Sequence, residues 1–232
     1  MNAAALAQWG QLLQLADPTL PIGGFNHSGG LETFVQQRAV HDADTLRALV
    51  YTQLQHNWLH NDGAYVSLAF DAAAAQDLPA LLKLDERIGA AKAPRELRES
   101  SFKLGVRLLK IFARQPLPQL AADFQAAIAA QQAQGFYPLV FGLLAAALGL
   151  DKAHSLYAFY YNAAVGLVTN GVKLIPLSQM VGQDILLALH EPIARAAAAS
   201  IVPVQTHIGA AAPATDIRAM QHEHLYTRLY MS

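Results

Sequence analysis

Cysteine is absent from this chain of 232 residues. That absence removes disulfides, thiolate nucleophiles and Cys-ligated zinc or iron–sulfur centres. Charge is scarce: Asp, Glu, Lys and Arg make up 14% of the residues, against about 25% in ordinary soluble domains. The net charge of −1 supplies no field that would draw nucleic acid or an anionic membrane. An apolar run of membrane-spanning length is missing too. The most apolar one, Leu139 to Leu150, is shorter than the roughly 18–20 residues that span a bilayer. The first ten residues lack the basic start and apolar stretch of a signal peptide. Strand-like alternation of β-branched residues is nearly absent, and there is no GxSxG elbow. Together these absences predict a soluble, cytoplasmic protein with no nucleic-acid or membrane partner.

What is present is apolar and helix-forming. Hydrophobic residues reach 53%, and Ala, Leu and Gln dominate, all of them favourable in helices. So much apolar material in so little charge fills a large core and leaves apolar surface for contacts with other chains. The pattern predicts one all-α domain, a single-domain helical bundle of roughly nine to eleven helices. Leu6, Trp9, Leu12 and Leu13 share one face of a first helix. A long helix is expected from about Thr45 to Phe70, capped by Asp42 or Asp44, with Leu46, Leu49, Val50, Leu54 and Trp58 at helical spacing. Asp77-Leu78-Pro79 opens another helix, through Ile88. Pro94 begins an amphipathic one with Leu97, Ser101, Leu104, Leu108 and Ile111 inward and Glu99–Lys103 as an outer i,i+4 pair. A helix from Leu120 to Gln134 and a loop at Gly135–Pro138 come next. Then follows a nearly continuous apolar stretch, to about Gly171. Gln179–His190 and Ile193–Ser200 read as two helices. Residues 203–213 read as a mobile loop, and 215–232 as a polar helix with a short extended end.

The segment from Leu15 to Glu32 holds two prolines and four glycines between helical stretches. Pro fixes φ and Gly permits φ > 0, so it reads as a stiff, shaped loop leading into a helix at Ser28 or nearby. Gly24 to Gly29 has the spacing of a phosphate loop. Gly30-Leu31 then stands where Lys and Ser/Thr would be needed, and no strand precedes it, which argues against a nucleotide site.

The histidines offer chemistry of another kind. His56 and His60 stand i,i+4, a spacing that can hold a metal, but no Glu lies between them to make a metalloprotease motif. His41-Asp42 resembles the His-Asp step of metal-dependent helical phosphohydrolases, which would have to recruit His27 and Asp62. Asp42 also has the simpler role of a helix N-cap. Asp85-Glu86 reads as solvated helical surface. His222 and His224, two residues apart, point to different helix faces and are weak metal candidates at most. The tail that follows them mixes Tyr, Leu and Arg, residue types typical of binding hot spots.

Three motifs in order along the chain resemble the urease accessory protein F (UreF) family. They are Asp17-Pro18-Thr19-Leu20-Pro21-Ile22-Gly23-Gly24-Phe25-Asn26-His27-Ser28-Gly29-Gly30-Leu31-Glu32, Asn170-Gly171-Val172-Lys173-Leu174-Ile175-Pro176-Leu177-Ser178-Gln179, and His222-Glu223-His224-Leu225-Tyr226-Thr227-Arg228-Leu229-Tyr230-Met231-Ser232. Pro18, Asn26, Ser178, Thr227 and Tyr230 depart mildly from the family pattern.

The resemblance implies a non-catalytic, all-helical homodimer that acts as a urease maturation factor. Its partners would be a UreD/UreH-type accessory protein, a UreG-type GTPase and apo-urease. It would hold no cofactor tightly, and its links to nickel and to GTP would run through a partner. Pro21, Gly23, Gly24, Phe25, Ser28 and Glu32 are then expected to form a shaped contact surface. Lys173, Pro176 and Gln179 are expected on the GTPase side, and His222, Glu223, Tyr226, Arg228, Leu229 and Tyr230 in the tail that docks the D-type partner. The alternatives are a phosphohydrolase built on His41-Asp42 and a generic helical interaction module.

Overall fold

A computed structural model describes residues 2–231. Among them are eleven α-helices and no strand, the all-α class expected from composition. In chain order the helices are α1 (Ala3–Leu15), α2 (Leu31–Gln36), α3 (Ala43–Gln53), α4 (Asp62–Ala74), α5 (Leu78–Ala91), α6 (Arg95–Phe112), α7 (Gln119–Ala129), α8 (Tyr137–Ala147), α9 (Lys152–Leu174), α10 (Gln179–Ser200) and α11 (Pro213–His222). No helix of the described residues is long and apolar enough to cross a membrane.

The centre is α8. It is apolar on every side, and Leu139, Val140, Phe141 and Leu143 are fully buried. A helix without a polar face must be surrounded, and α1, α4, α5, α6, α7 and α9 all pack on it. Local signals set the starts of its neighbours. Asp42 accepts the amide of Thr45 while the Thr45 hydroxyl takes the Asp42 amide, a capping box at the head of α3. Asp77 caps α5 with Pro in its first turn, and Asp151 caps α9. Asp42 thus serves as the cap.

Several expectations are corrected. The long helix from Thr45 to Phe70 is broken. A π-helical turn occupies Leu54–Trp58, and the chain turns again at Asn61 before α4 begins. A π turn inserts an extra residue, so His56 and His60 do not stand on one regular helix face. Conversely, Gln179–His190 and Ile193–Ser200 form one helix. Pro192 lies inside α10 and removes one backbone hydrogen bond. The helix nonetheless continues, because Leu189, Ile193, Ala196 and Ala197 on either side are buried, largely against α9.

The α1 stripe splits. Leu12 is buried with Leu15, whereas Leu6, Trp9 and Leu13 are exposed. Asp85 is not solvated surface: it is buried and accepts the amides of Gln134, Gly135 and Phe136 at 2.6, 2.9 and 3.2 Å, fixing the entry to α8. Burial pushes its carboxyl upward against the pull of those three amides. Residues 203–213 contain a 3-10 turn, Gln205–His207. They are held where Gly209 donates to the His60 carbonyl at 3.0 Å and Asn61 to the Ala210 carbonyl at 2.9 Å.

Candidate docking site

The loop from Asp17 to Gly30 and the chain after α11 meet on one side of the bundle, against α2 and α6. The loop is shaped by its glycines and by a single Arg. Gly23 has φ +91°, and a Cβ there would lie 2.5 Å from Arg107 Nη1, which donates to the Ile22 carbonyl at 2.9 Å. Gly24 has nothing within 4 Å of a Cβ, so no contact requires it. A short 3-10 turn, Gly24–Asn26, follows, and α2 starts three residues beyond Ser28, behind Gly30. Asn170 of α9 donates to the His27 carbonyl at 2.9 Å and ties the loop to the bundle.

The C-terminal chain is pinned by Glu32 in the first turn of α2. Glu32 is buried, and its two oxygens accept the amides of Leu229 at 2.7 Å and Tyr230 at 3.1 Å. His222 is fully buried between two carboxylates. Nε2 lies 3.2 Å from Glu32 Oε2, and Nδ1 lies 2.8 Å from Glu96 Oε2. Both contacts need a proton on the ring or the acid, because a carboxylate oxygen only accepts. Arg228 reaches the other oxygen of Glu96 at 3.2 Å. Glu223 takes a two-pronged contact from Arg95 at 2.7 and 3.3 Å, which draws its carboxyl below the usual range. Thr33 donates to the Arg218 carbonyl, Gln36 to the Thr227 carbonyl, and the Met231 amide to the Asn26 carbonyl. Arg218 lies over the Phe34 ring, 4.5 Å from its centroid.

These contacts sort the residues selected from sequence into two groups. Ser28, Glu32, His222 and Tyr230 are buried, and Glu223 and Arg228 are tied to α6. Glu32, His222, Glu223, Arg228 and Tyr230 hold the tail to its own body, while Ser28 accepts the Glu32 amide at the start of α2. With both ring nitrogens of His222 engaged and His224 exposed, the two histidines do not converge. Pro21 and Phe25 face outward, together with Leu229 and a completely exposed Tyr226. Ile217, Met220 and Met231 are exposed as well. They extend the apolar surface, and sequence reading passed them over. For Ile217 and Met220 the signal was the outer stripe of α11, which shows only once its inner stripe is known. Lys173, Pro176 and Gln179 are exposed at the α9–α10 junction, one turn beyond the Asn170 that holds the loop. A cavity of about 360 Å³ runs beneath this region, lined among others by Phe25, His27, Asn170 and Lys173.

No set of three His, Cys, Asp or Glu side chains converges on a common point among the described residues, and Asp42 is occupied as a cap. The arrangement is one of docking geometry: an ordered, internally clamped tail that presents apolar side chains.

Comparison with known proteins fits that geometry. The family model described as UreF matches residues 40–190. A urease accessory protein UreF of Actinobacillus pleuropneumoniae (serotype 5b, strain L20) is 61% identical over 227 residues, covering 98% of this chain and all of the relative. The chain belongs to the UreF family. A Haemophilus influenzae (strain ATCC 51907 / DSM 11121 / KW20 / Rd) UreF is 60% identical over 228 residues, with 98% and 97% of the two chains covered. An Arthrobacter UreF (strain FB24) is 34% identical over 222 residues, with 95% and 96% covered. A role in urease maturation follows from membership. UreF proteins are accessory factors by name.

Proposed function

We propose that this UreF-family chain is a non-catalytic scaffold that joins a UreD/UreH-type accessory protein to a UreG-type GTPase for nickel insertion into apo-urease. The observation that carries the reading is the clamped tail. Glu32 fixes the backbone at Leu229 and Tyr230, and Glu96 and Arg95 hold the side chains of His222 and Glu223, so Tyr226, Leu229 and Met231 are presented at a reduced ordering cost at the moment of binding. With Phe25 they form the face for the D-type partner. Lys173, Pro176 and Gln179 form the face for the GTPase, with Lys173 as the charge for an acidic or phosphate-bearing surface. Nickel is cargo here, and GTP belongs to the partner.

A second copy of the chain covers a different surface. Leu6, Trp9 and Leu13 of α1 are exposed, and Trp9 packs on His154 of α9 at 5.1 Å between rings. Farther along α9, Tyr157 and Tyr161 stack on His190 of α10, and the Tyr157 hydroxyl lies 2.6 Å from His190 Nδ1. Leu187 and Met180 of α10 are exposed nearby in sequence. An apolar, aromatic face of this extent supports a homodimer.

The test is co-expression with the D-type protein and the GTPase, followed by size-exclusion chromatography with light scattering. One species containing all three, with two copies of this chain, is the expected result. Elution of this chain alone beside folded partners overturns the reading. A tail deletion is a poor substitute, because removing His222 and Arg228 strips the partners from Glu32 and Glu96 as well.

A further inference from the structure

The outer face of α6 carries a row of charged side chains: Glu96, Glu99, Lys103, Arg107, Lys110 and Arg114. Spacings of three and four residues put them on one stripe of the helix. The row changes sign along its length. Its acidic end is satisfied by the protein's own chain. Glu96 meets His222 at 2.8 Å and Arg228 at 3.2 Å, and Glu99 meets Lys103 at 3.2 Å. The basic end is left over. Lys103, Arg107, Lys110 and Arg114 are all exposed, and no carboxylate among the described residues pairs with the last three. Arg107 donates instead to the neutral Ile22 carbonyl. Nine of the 16 Lys and Arg lie between Lys83 and Arg114, against four of the 17 Asp and Glu. Positive charge is therefore concentrated here, in a chain whose net charge is −1. Its field reaches the neighbouring loop: burial, then Arg107 and Lys103, hold the His27 imidazole below its ordinary range.

A cationic row in water needs no partner by itself; its position gives it one. The stripe is continuous with the face that Phe25, Tyr226 and Leu229 present. Its acidic end holds the tail through Glu96, and Arg107 in its middle holds the loop one residue before Gly23. From Lys103 to Arg114 it runs about 16 Å, at about 1.5 Å per residue. The underside of the same helix is anchored by buried Leu108 and Leu109, so the four cations keep their spacing. We propose that Lys103, Arg107, Lys110 and Arg114 are the electrostatic part of the face for the D-type accessory protein and receive a row of carboxylates of similar length on it. The inference rests on the tail reading above and adds to it the charge of the partner. Charges beside an apolar contact act chiefly on encounter. They steer the partner and raise the association rate, with little effect on dissociation.

The test is the association kinetics of the D-type protein with the full chain at ionic strengths of about 0.01 M and about 0.15 M, between which the screening length falls from about 30 to about 8 Å. Association with the parent chain should slow as salt is added. Lys110→Glu combined with Arg114→Glu should slow it about tenfold at the lower salt, flatten the salt dependence and leave dissociation nearly unchanged. The same pair changed to Gln should fall between. Both side chains are exposed, and an unchanged circular dichroism spectrum will show that the variants are folded. Tyr226→Ala, by contrast, should speed dissociation and keep the salt dependence. Association of the Glu variant at the parent rate or faster overturns the proposal and leaves the tail reading standing. Failure of the parent chain to bind the D-type protein overturns both. If DNA or phosphatidylserine vesicles capture the parent chain and not the variant, with D-type association unchanged, the stripe belongs to phosphates and the proposal falls.

Discussion

Glu32 and Leu229 stand 197 positions apart, yet the Glu32 carboxylate accepts the Leu229 amide at 2.7 Å with the acid almost fully buried. The same carboxylate takes the Tyr230 amide and one nitrogen of His222. One side chain on α2 therefore fixes where His222, Leu229 and Tyr230 lie.

Glu32→Ala should release that end. Two amides and an imidazole lose their acceptor, and a buried donor left unsatisfied costs about 1–3 kcal/mol. The tail will detach rather than stay buried unpaired. Hydrogen exchange at Leu229 and Tyr230 should accelerate sharply while the α8 core stays protected. Unchanged exchange at those two amides would show that Glu32 does not hold the tail.

Residues on the outer side of the tail should behave oppositely. Tyr226→Ala and Leu229→Glu alter exposed side chains, so stability should stay within about 0.5 kcal/mol of the parent. Capture of the D-type accessory protein should fall about tenfold or more, as expected for hot-spot aromatics and their neighbours. Quantitative co-purification checks both, and normal capture by both variants removes this face from the interface.

Two adjacent glycines provide an internal control. Gly23→Ala places a Cβ at φ +91° and 2.5 Å from the Arg107 guanidinium, and it should destabilise by about 1–2 kcal/mol. Gly24→Ala meets nothing within 4 Å and should be nearly neutral. Urea midpoints of the pair test the difference.

Leu13→Glu places a charge on the exposed face of α1 without touching the core. Mass from light scattering should drop to that of one chain, with the helical spectrum intact. A dimer that persists would locate the self-contact elsewhere.

Stability should also depend on pH through His27. Burial, followed by Arg107 and Lys103, holds this imidazole below its ordinary range. The unfolded chain, titrating near about pH 6.5, then binds more protons than the native state as the medium acidifies. Stability rises with pH wherever that is so. The denaturation midpoint should therefore be lower at about pH 5.5 than at about pH 7.5. His60, also depressed, adds to the slope, and the raised Asp85 and Asp216 oppose it. His27→Gln should flatten the slope, and an unaltered slope would exclude His27 as its source.

Much of the fold is legible in the chain itself. The helix starts at Asp42 and Asp77 and the all-round apolar run that becomes α8 are local signals that appear where they were expected, whereas the cap at Asp151, which separates α9 from that run, was not expected. The failures share a cause. The π turn at Leu54–Trp58 and the continuous α10 through Pro192 are cases in which packing, against α4 and α9 respectively, overrides local preference. Asp85 looked solvated because its three amide partners lie about fifty residues away.

The candidate site divides along the same line. Composition excluded thiolate chemistry, and motif order pointed to the UreF family, because both depend only on which residues are present and in what succession. Tertiary structure alone decided that Glu32, His222 and Tyr230 turn inward while Tyr226 and Leu229 turn outward. It also separated Leu12 from Leu13 on α1. Hydrogen bonds and ring contacts between residues up to about two hundred positions apart leave no spacing in the sequence. They arise only when burial of α8 draws the surrounding helices together and the remaining polar groups must find partners.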